Sequence, residues 1–407
     1  MLFGISQRGS GARRIAACSP LLHRTIARAF ASAPPAEEER VQLTSPAAYV
    51  STSTDPWFNL SYEDWLLRNT PVSQPLLFIY RNAQCVVIGR NQNPWKETTP
   101  RQLLADGIPL VRRRSGGGTV YHDMGNTNFS IMLPRVTFTR SGGANLVAKA
   151  IRERLDVPSC TVNSRNDVIV REGGKDLKVG AEVTGSPTHA QVSGSAYKII
   201  QHRAYHHGTM LISSDVSTLG RALHSDSPHL ETKGIASFRS AVSTLNAHRA
   251  RSAPITNDDF VEALKEEFGA TYPGHMEEHV VNEGQVDLPK VWDGVKDLAV
   301  GVSRKGVADG QSWEWQYGQT PEFTNKIEGE LSFGRVTATL ASRHALLTQF
   351  SLELAAADED TQDALNAIST ALVGKRYEAL SGAEADLAPD VPTPLANEVL
   401  AWLRTSM

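Results

Sequence analysis

The sequence predicts an α+β protein built on a mainly antiparallel sheet, and three observations carry that prediction. Apolar runs of strand length and segments of helical periodicity are mixed along the chain without the strict alternation of a doubly wound sheet. Most strand-like runs are short and bounded by Gly or Pro, as at Pro75–Tyr80 and Cys85–Gly89. A second group of such runs recurs beyond residue 320, past a polar, Pro-containing stretch at Ser252–Asn257.

Taken in order, Phe58–Arg68 reads as a helix, with Leu60, Trp65, Leu66 and Leu67 near helical spacing. Two strands follow at Pro75–Tyr80 and Cys85–Gly89, then a helix over Thr99–Asp106. Leu110–Val111 starts a strand that runs into a glycine loop. Asn128–Leu133 is a strand ended by Pro134, and Ala144–Leu155 is a helix. Asp167–Val170 and Ser193–Ile200 are expected to pair as a hairpin across the long loop Gly173–Ala190, with one more strand at His207–Ser213. After the boundary come a helix at Asn257–Phe268 and a loop-rich stretch from Gly274 to Gly310. Trp313-Glu314-Trp315 opens a small second α+β unit. Its strands lie near Ile327–Phe333, Arg335–Leu340 and Leu347–Leu354, and its helices at Thr361–Val373 and Leu395–Leu403. The expected division is a leader over 1–36, a catalytic domain over 37–253 and a C-terminal accessory domain over 254–407.

The leader is Arg-rich, with Arg8, Arg13, Arg14, Arg24 and Arg28, and no acidic residue precedes Glu37. Leu21, Leu22, Ile26 and Phe30 give it an apolar side, the pattern of a mitochondrial transit peptide, so the mitochondrial matrix is the expected compartment. The formal net charge of −3 gives no basic footprint for nucleic acid, and no run reaches the ~18 apolar residues of a membrane span. The cysteines, Cys18, Cys85 and Cys160, have neither disulfide-framework nor metal-ligand spacing. His275-Met276-Glu277-Glu278-His279 matches a zinc-peptidase pattern, but Tyr272-Pro273-Gly274 just before it opposes the helix that pattern needs, and no tightly bound metal is expected.

The most informative stretch is Arg112-Arg113-Arg114-Ser115-Gly116-Gly117-Gly118, followed by His122-Asp123 and Asn126. Consecutive glycines let the main chain close round an anion, and arginines supply charge and paired donors for it. No Gly-Lys-Ser/Thr closes the loop and the glycines are contiguous, so it is neither a Walker loop nor a dinucleotide fingerprint. Arg113, Ser115, Gly116, Gly117, Gly118, His122, Asp123 and Asn126 are therefore candidate binding residues.

This stretch resembles the lipoate–protein ligase and lipoyltransferase family. Further blocks agree in the family's order: Arg81-Asn82, Val87–Glu97 (with Asn93-Pro94-Trp95-Lys96), Asn166-Asp167, Ser193–Tyr197, His206–Leu211, Lys233-Gly234-Ile235, Ser237–Ser240 and Tyr317–Phe323. The resemblance spans roughly residues 45 to 355. It implies a biotin/lipoate ligase-like catalytic domain and a monomeric enzyme. Such an enzyme attaches lipoyl or octanoyl groups, through an acyl-adenylate made with ATP and Mg²⁺, to a lysine of a carrier domain. The carriers implied are the lipoyl domains of 2-oxoacid dehydrogenases and the glycine cleavage carrier protein. It adds Asn166, Ser193, Gly194, His207 and Gly208 to the binding set, and Asp167 as an orienting or Mg²⁺-coordinating carboxylate.

One departure stands out. The family places a lysine immediately before the Val-Ser-Gly-Ser-Ala segment, and this chain has Gln191. Glutamine donates only neutral hydrogen bonds, and losing the cation at an acyl-phosphate oxygen is expected to cost roughly 2.7–4 kcal/mol of transition-state stabilisation. Lys198 keeps a basic residue nearby, and Lys175 or Lys178 on the long loop are other sources of charge. The expectation is weak or absent ATP-dependent activation with transfer from an activated donor retained. Cys160 offers an alternative octanoyltransferase route through a thioester, and Gln191 a non-catalytic lipoyl-binding scaffold. Biotin attachment is a weaker alternative on the same scaffold.

Overall fold

The computed structural model describes residues 42–171, 189–238, 240–249, 253–284, 309–355, 357–380 and 393–407. The leader over 1–36, Lys175 and Lys178 lie outside these residues.

Capping chemistry sets the first helices. In α1 (Pro56–Asn69), Asp55 accepts from the backbone N–H of Trp57 and Phe58, and Pro56 occupies the first turn, where its missing N–H costs nothing. Asn93 and Pro94 repeat the device at α2 (Pro94–Glu97), and a Thr256–Asp259 capping box starts α6 (Asn257–Thr271). Between these, α3 spans Pro100–Ala105, α4 Arg140–Arg154 and α5 Val216–Ala222.

The centre of the molecule is a six-stranded sheet. Its strands are β1 (Ala47–Ser51), β2 (Leu76–Tyr80), β6 (Asn126–Pro134), β10 (Ser195–Ile199), β11 (Arg203–Leu211) and β13 (Glu277–Val281), in the order β10-β11-β6-β2-β1-β13. The pairs β10–β11, β11–β6 and β6–β2 are antiparallel, while β1 lies parallel to β2 and β13. Alternation divides the strands between two faces. Phe129, Ile131, Leu133 and Met210 pack with Val147, Ile151, Phe260, Leu264 and Phe268 of α4 and α6. Phe78, Tyr80, Met132 and Tyr205 point the other way, toward Phe58 and Leu66 of α1. Each of these fully buried side chains contributes roughly 1.5–3 kcal/mol of transfer free energy.

A three-stranded sheet of β3 (Cys85–Ile88), β4 (Leu110–Arg112) and β5 (Val120–His122) carries the glycine loop between β4 and β5. A second comprises β7 (Cys160–Val162), β8 (Val168–Arg171) and β9 (His189–Gln191). The expected hairpin of 167–170 with 193–200 does not form. β8 pairs with β7 and β9, while β10 pairs with β11. The apolar pattern marks both segments as strands, but pairing partners are non-local and periodicity does not specify them.

Although α6 and β13 follow the expected division at 253/254, they pack with the first core and its sheet. His279 of the zinc-like motif lies on β13 and stacks on Tyr49 at 4.5 Å, so the motif is extended rather than helical.

The C-terminal part begins with α7 (Asp309–Gln316) and continues with β14 (Phe323–Leu331), β15 (Gly334–Arg343) and β16 (Leu346–Leu354). With β12 (Glu231–Thr232) these strands form a four-stranded antiparallel sheet. Packed in the same core are α8 (Glu359–Leu372), α9 (Tyr377–Leu380) and α10 (Thr393–Ser406). Trp95 of α2 enters this core, its ring 4.5 Å from Tyr377 and 5.4 Å from Tyr317. Arg112 makes a second tie: fully buried, it donates to the carbonyls of Gly89, Arg90, Gln92 and Gln316 and to Thr320 Oγ1.

Candidate functional site

A cavity of about 620 Å³ opens over the α1 side of the six-stranded sheet. Tyr80, Asn128 and Thr209 lie side by side across β2, β6 and β11 and form its floor. Arg113, Gly118 and His122 bound it from the glycine-loop side, and Gln191, Ser193, Gly194 and Asp167 from the other. Phe238, 76% exposed, stands at its rim under the Arg165 guanidinium, which lies 3.8 Å from the ring centroid.

The arginines do not act as expected. Arg113 is buried, and its guanidinium donates to Ser115 Oγ (2.9 Å) and to the carbonyls of Val87 (3.1 Å), Gly116 (2.6 Å) and Gly118 (2.7 Å). It shapes the loop from behind rather than presenting a donor pair to an anion. Arg112 is engaged by carbonyls as above, and Arg114 lies over Trp315 at 4.8 Å and beside Asp64 at 3.7 Å. The loop needs one glycine for a definite reason: Gly117 has φ +84°, and a Cβ there would lie 2.9 Å from Ala196 Cβ. Ser115, Gly116 and Gly117 form the loop's frame, while Gly118 reaches the cavity.

Ser115 belongs to a buried chain of polar groups. Its Oγ lies 2.8 Å from His207 Nε2, and His207 Nδ1 lies 3.0 Å from both oxygens of Glu63 on α1. The carboxylate only accepts, so Nδ1 is a donor, and at the other end of the chain Arg113 Nε donates to Ser115 Oγ. On the neighbouring strand position, His206 faces the other way, between Tyr197 and Phe129, with both ring nitrogens buried and unpartnered. Burial holds both His206 and His122 neutral, pushing each imidazole down to about 3, with Arg113 and His207 adding to the effect at His122.

Other expected residues are displaced from the cavity. Asp123 accepts from the N–H of Gly125 and Asp215 (2.9 Å each) and fastens a turn. Asn126 acts one step back, donating to Asn128 Oδ1 at 3.0 Å. Asn166 adopts φ +65° in a turn, and its carbonyl accepts from Ser195. Lys198 does not line the cavity; its ammonium is paired with Asp64, because the β10 pleat turns it toward α1. Asp167 reaches the cavity, but its Oδ2 is held by Arg165 (3.0 Å) and Asn163 (3.2 Å). No group of three or more His, Cys, Asp or Glu residues suited to a metal exists among the described residues. Gln191 lines the cavity with its amide turned back onto the Ser193 carbonyl at 2.8 Å. Cys160 lies in the α4–α6 core, and burial pushes its thiol up to about 12, so it is not a prepared nucleophile.

Several residues were not singled out by sequence reasoning. Asn128 is buried on the floor with its Nδ2 unpartnered. Glu97 bonds Ser237 and Thr119, while Gln92 bonds Gly89, Thr119 and Ser237, which pins the 235–238 segment to the glycine loop. Lys96 lines the cavity and donates to the Leu230 carbonyl at 2.8 Å.

Residues 55–269, which hold every part of this site, match the model of the lipoyl protein ligase A/B catalytic domain. The chain belongs to the lipoate–protein ligase family. It is 31% identical over 331 residues to the lipoate-protein ligase A of Blochmanniella floridana, covering 81% of this chain and 89% of that relative. Its fold matches the crystal structure of P. falciparum LipL1 in complex with lipoate at a TM-score of 0.52 and 22% identity, over 89% of this chain and all of that one. The architecture is thus the α+β biotin/lipoate ligase fold.

Proposed function

We propose that this lipoate–protein ligase attaches lipoate or octanoate to a carrier-domain lysine through an acyl-adenylate. The carriers are the lipoyl domains of 2-oxoacid dehydrogenases and the glycine cleavage carrier protein, and the compartment is the mitochondrial matrix. The observation that carries the reading is the cavity itself. Its volume of about 620 Å³ suits a medium-chain acid with part of a nucleotide, and its walls place Leu60, Val87 and Val120 beside the donors of His122 and Asn128.

In the first step a carboxylate oxygen attacks the α-phosphorus of ATP, which enters as its Mg²⁺ complex, and pyrophosphate leaves. In the second the carrier lysine attacks the acyl carbonyl, loses a proton and expels AMP. Three cations line the cavity among the described residues: Arg113 is engaged by carbonyls and Arg165 by Asp167, whereas Lys96 has only a carbonyl contact. Lys96 is therefore the group available to neutralise phosphate charge. With a neutral amide at 191, the first step is slow and the second is not.

The test follows the mass of an apo-lipoyl domain supplied with either lipoate and MgATP or synthetic lipoyl-adenylate. Faster modification from the adenylate is expected. Equal rates would remove the assignment of Gln191, and no transfer from either would remove the ligase reading in favour of a lipoyl-binding scaffold. Cleavage of the leader on import into isolated mitochondria tests the compartment.

A further inference from the structure

His122 borders the cavity with a ring orientation that the protein specifies from behind, through a chain of buried amides. Asn59 on α1 is fully buried, and one end of its side chain faces the carbonyls of Ser53 (2.9 Å) and Arg81 (3.2 Å). Carbonyls only accept, so that end is the NH₂ group, and the other end, Oδ1, accepts from Ser51 Oγ at 2.7 Å. The same NH₂ lies 2.9 Å from Asn82, which makes the facing Asn82 atom its oxygen. Asn82 is fully buried too, and its own NH₂ then meets His122 Nδ1 at 3.0 Å. An NH₂ group only donates, so Nδ1 accepts. A neutral imidazole carries a single ring proton, and here it is on Nε2. Each assignment in the chain is forced by the one before it, beginning from two backbone carbonyls, so the tautomer does not depend on a free choice of amide flip.

We propose that Asn82, held by Asn59, is a positioning residue that locks His122 as a neutral Nε2–H donor toward the cavity, where it hydrogen-bonds an oxygen of the substrate carboxyl group. The proposal rests on the reading of the cavity as the acyl-adenylation site. A neutral donor suits that chemistry. It orients the carboxylate without cancelling the charge that makes it a nucleophile, and it keeps its hydrogen bond when the same oxygen becomes an acyl carbonyl. An imidazolium would bind the anion more tightly and blunt its attack on phosphorus. Burial beside Arg113 and His207 disfavours the imidazolium, consistent with this role.

Long-range ¹H–¹⁵N spectra of the full chain, with the His122 signals assigned by their loss in His122→Gln, read the tautomer directly. A proton on Nε2 and a bare Nδ1 between pH 6 and 8 are expected. A proton on Nδ1 would overturn the lock. Asn82→Asp puts an acceptor at Nδ1 and should move the proton there, while lipoate affinity, read by calorimetry, falls about tenfold, the weight of one hydrogen bond. Should Asn82→Asp fail to fold, the wild-type spectrum and the lipoate affinity of His122→Gln carry the test alone. Unchanged affinity in His122→Gln would overturn the donor role. Absence of lipoate binding by wild type, with the Nε2–H tautomer present, would instead overturn the functional reading and leave the lock standing.

Discussion

His206 and His207 are neighbours on one strand and do opposite things. His207 faces the cavity with both ring nitrogens engaged, by Glu63 and Ser115. His206 faces the α4–α6 core with neither nitrogen partnered, its ring set between aromatics and close to Gly143 of α4. The difference teaches that one face of the sheet is organised by hydrogen bonds of fixed direction and the other by volume. A polar side chain on the first face has a task that depends on its atoms. On the second it is a space-filling ring.

The comparison can be attacked at several points. The largest effect is expected where both shape and polarity are at stake, in Gly117→Val. A β-branched residue at φ +84° and 2.9 Å from Ala196 displaces the loop and with it Arg113. The strain is on the order of 1–3 kcal/mol, and ligation should fall more than a hundredfold while the melting temperature shifts little. Retained activity would show that the loop does not border the site.

Next, His207→Leu strands the buried Glu63 carboxylate. Ligation should drop about ten- to a hundredfold and stability by roughly 3–5 kcal/mol, read by urea unfolding. His206→Phe should leave ligation within twofold. Equal losses in the two variants would break the contrast between the faces.

Gln191→Lys should raise the adenylation rate about tenfold, measured by pyrophosphate release, because it returns a cation to a cavity with little free positive charge. No gain would point to Lys96 as sufficient, and Lys96→Met would then abolish pyrophosphate release.

The smallest effect concerns acid. Native His122 and His206 bind protons only near pH 3, while the unfolded chain takes them up near 6.5. Between those limits the unfolded state holds more protons, so stability falls as pH falls, by about 1.4 kcal/mol per unit for each ring. His206→Phe should halve that slope between pH 6 and 4.5. An unchanged slope would mean that His206 is not held neutral.

Much of the fold could be read locally, because its signals are local. The helix expected at Phe58–Arg68 forms within Pro56–Asn69, and the apolar runs at 76–80 and 85–88 are strands where expected. Pairing was less accessible: nothing near 167–170 says that its partners are β7 and β9. The site divides in the same way. Gly117, Gly118, His122, Gln191, Ser193 and His207 come from contiguous motifs and do gather at one cavity or its loop. The arginines misled because three cations beside a glycine loop resemble an anion cradle, whereas Arg112 and Arg113 spend their donors on carbonyls of the loop itself and of segments folded against it. Glu63 and Asn59 escaped notice because polar residues within an amphipathic helix read as surface, and only tertiary packing turns them inward.

Arg112 bears on how the polypeptide could be divided. Its backbone N–H and its guanidinium both bind Gln316, and Thr320 takes another of its donors. A truncation ending before Asp309 would delete both residues and leave a charged group partly unsatisfied next to the strand that launches the glycine loop. The downstream half thus works as a splint for the upstream half. Separately supplied pieces should therefore reassociate through Arg112 and Trp95, which a pull-down of one by the other would show and Arg112→Ala would weaken.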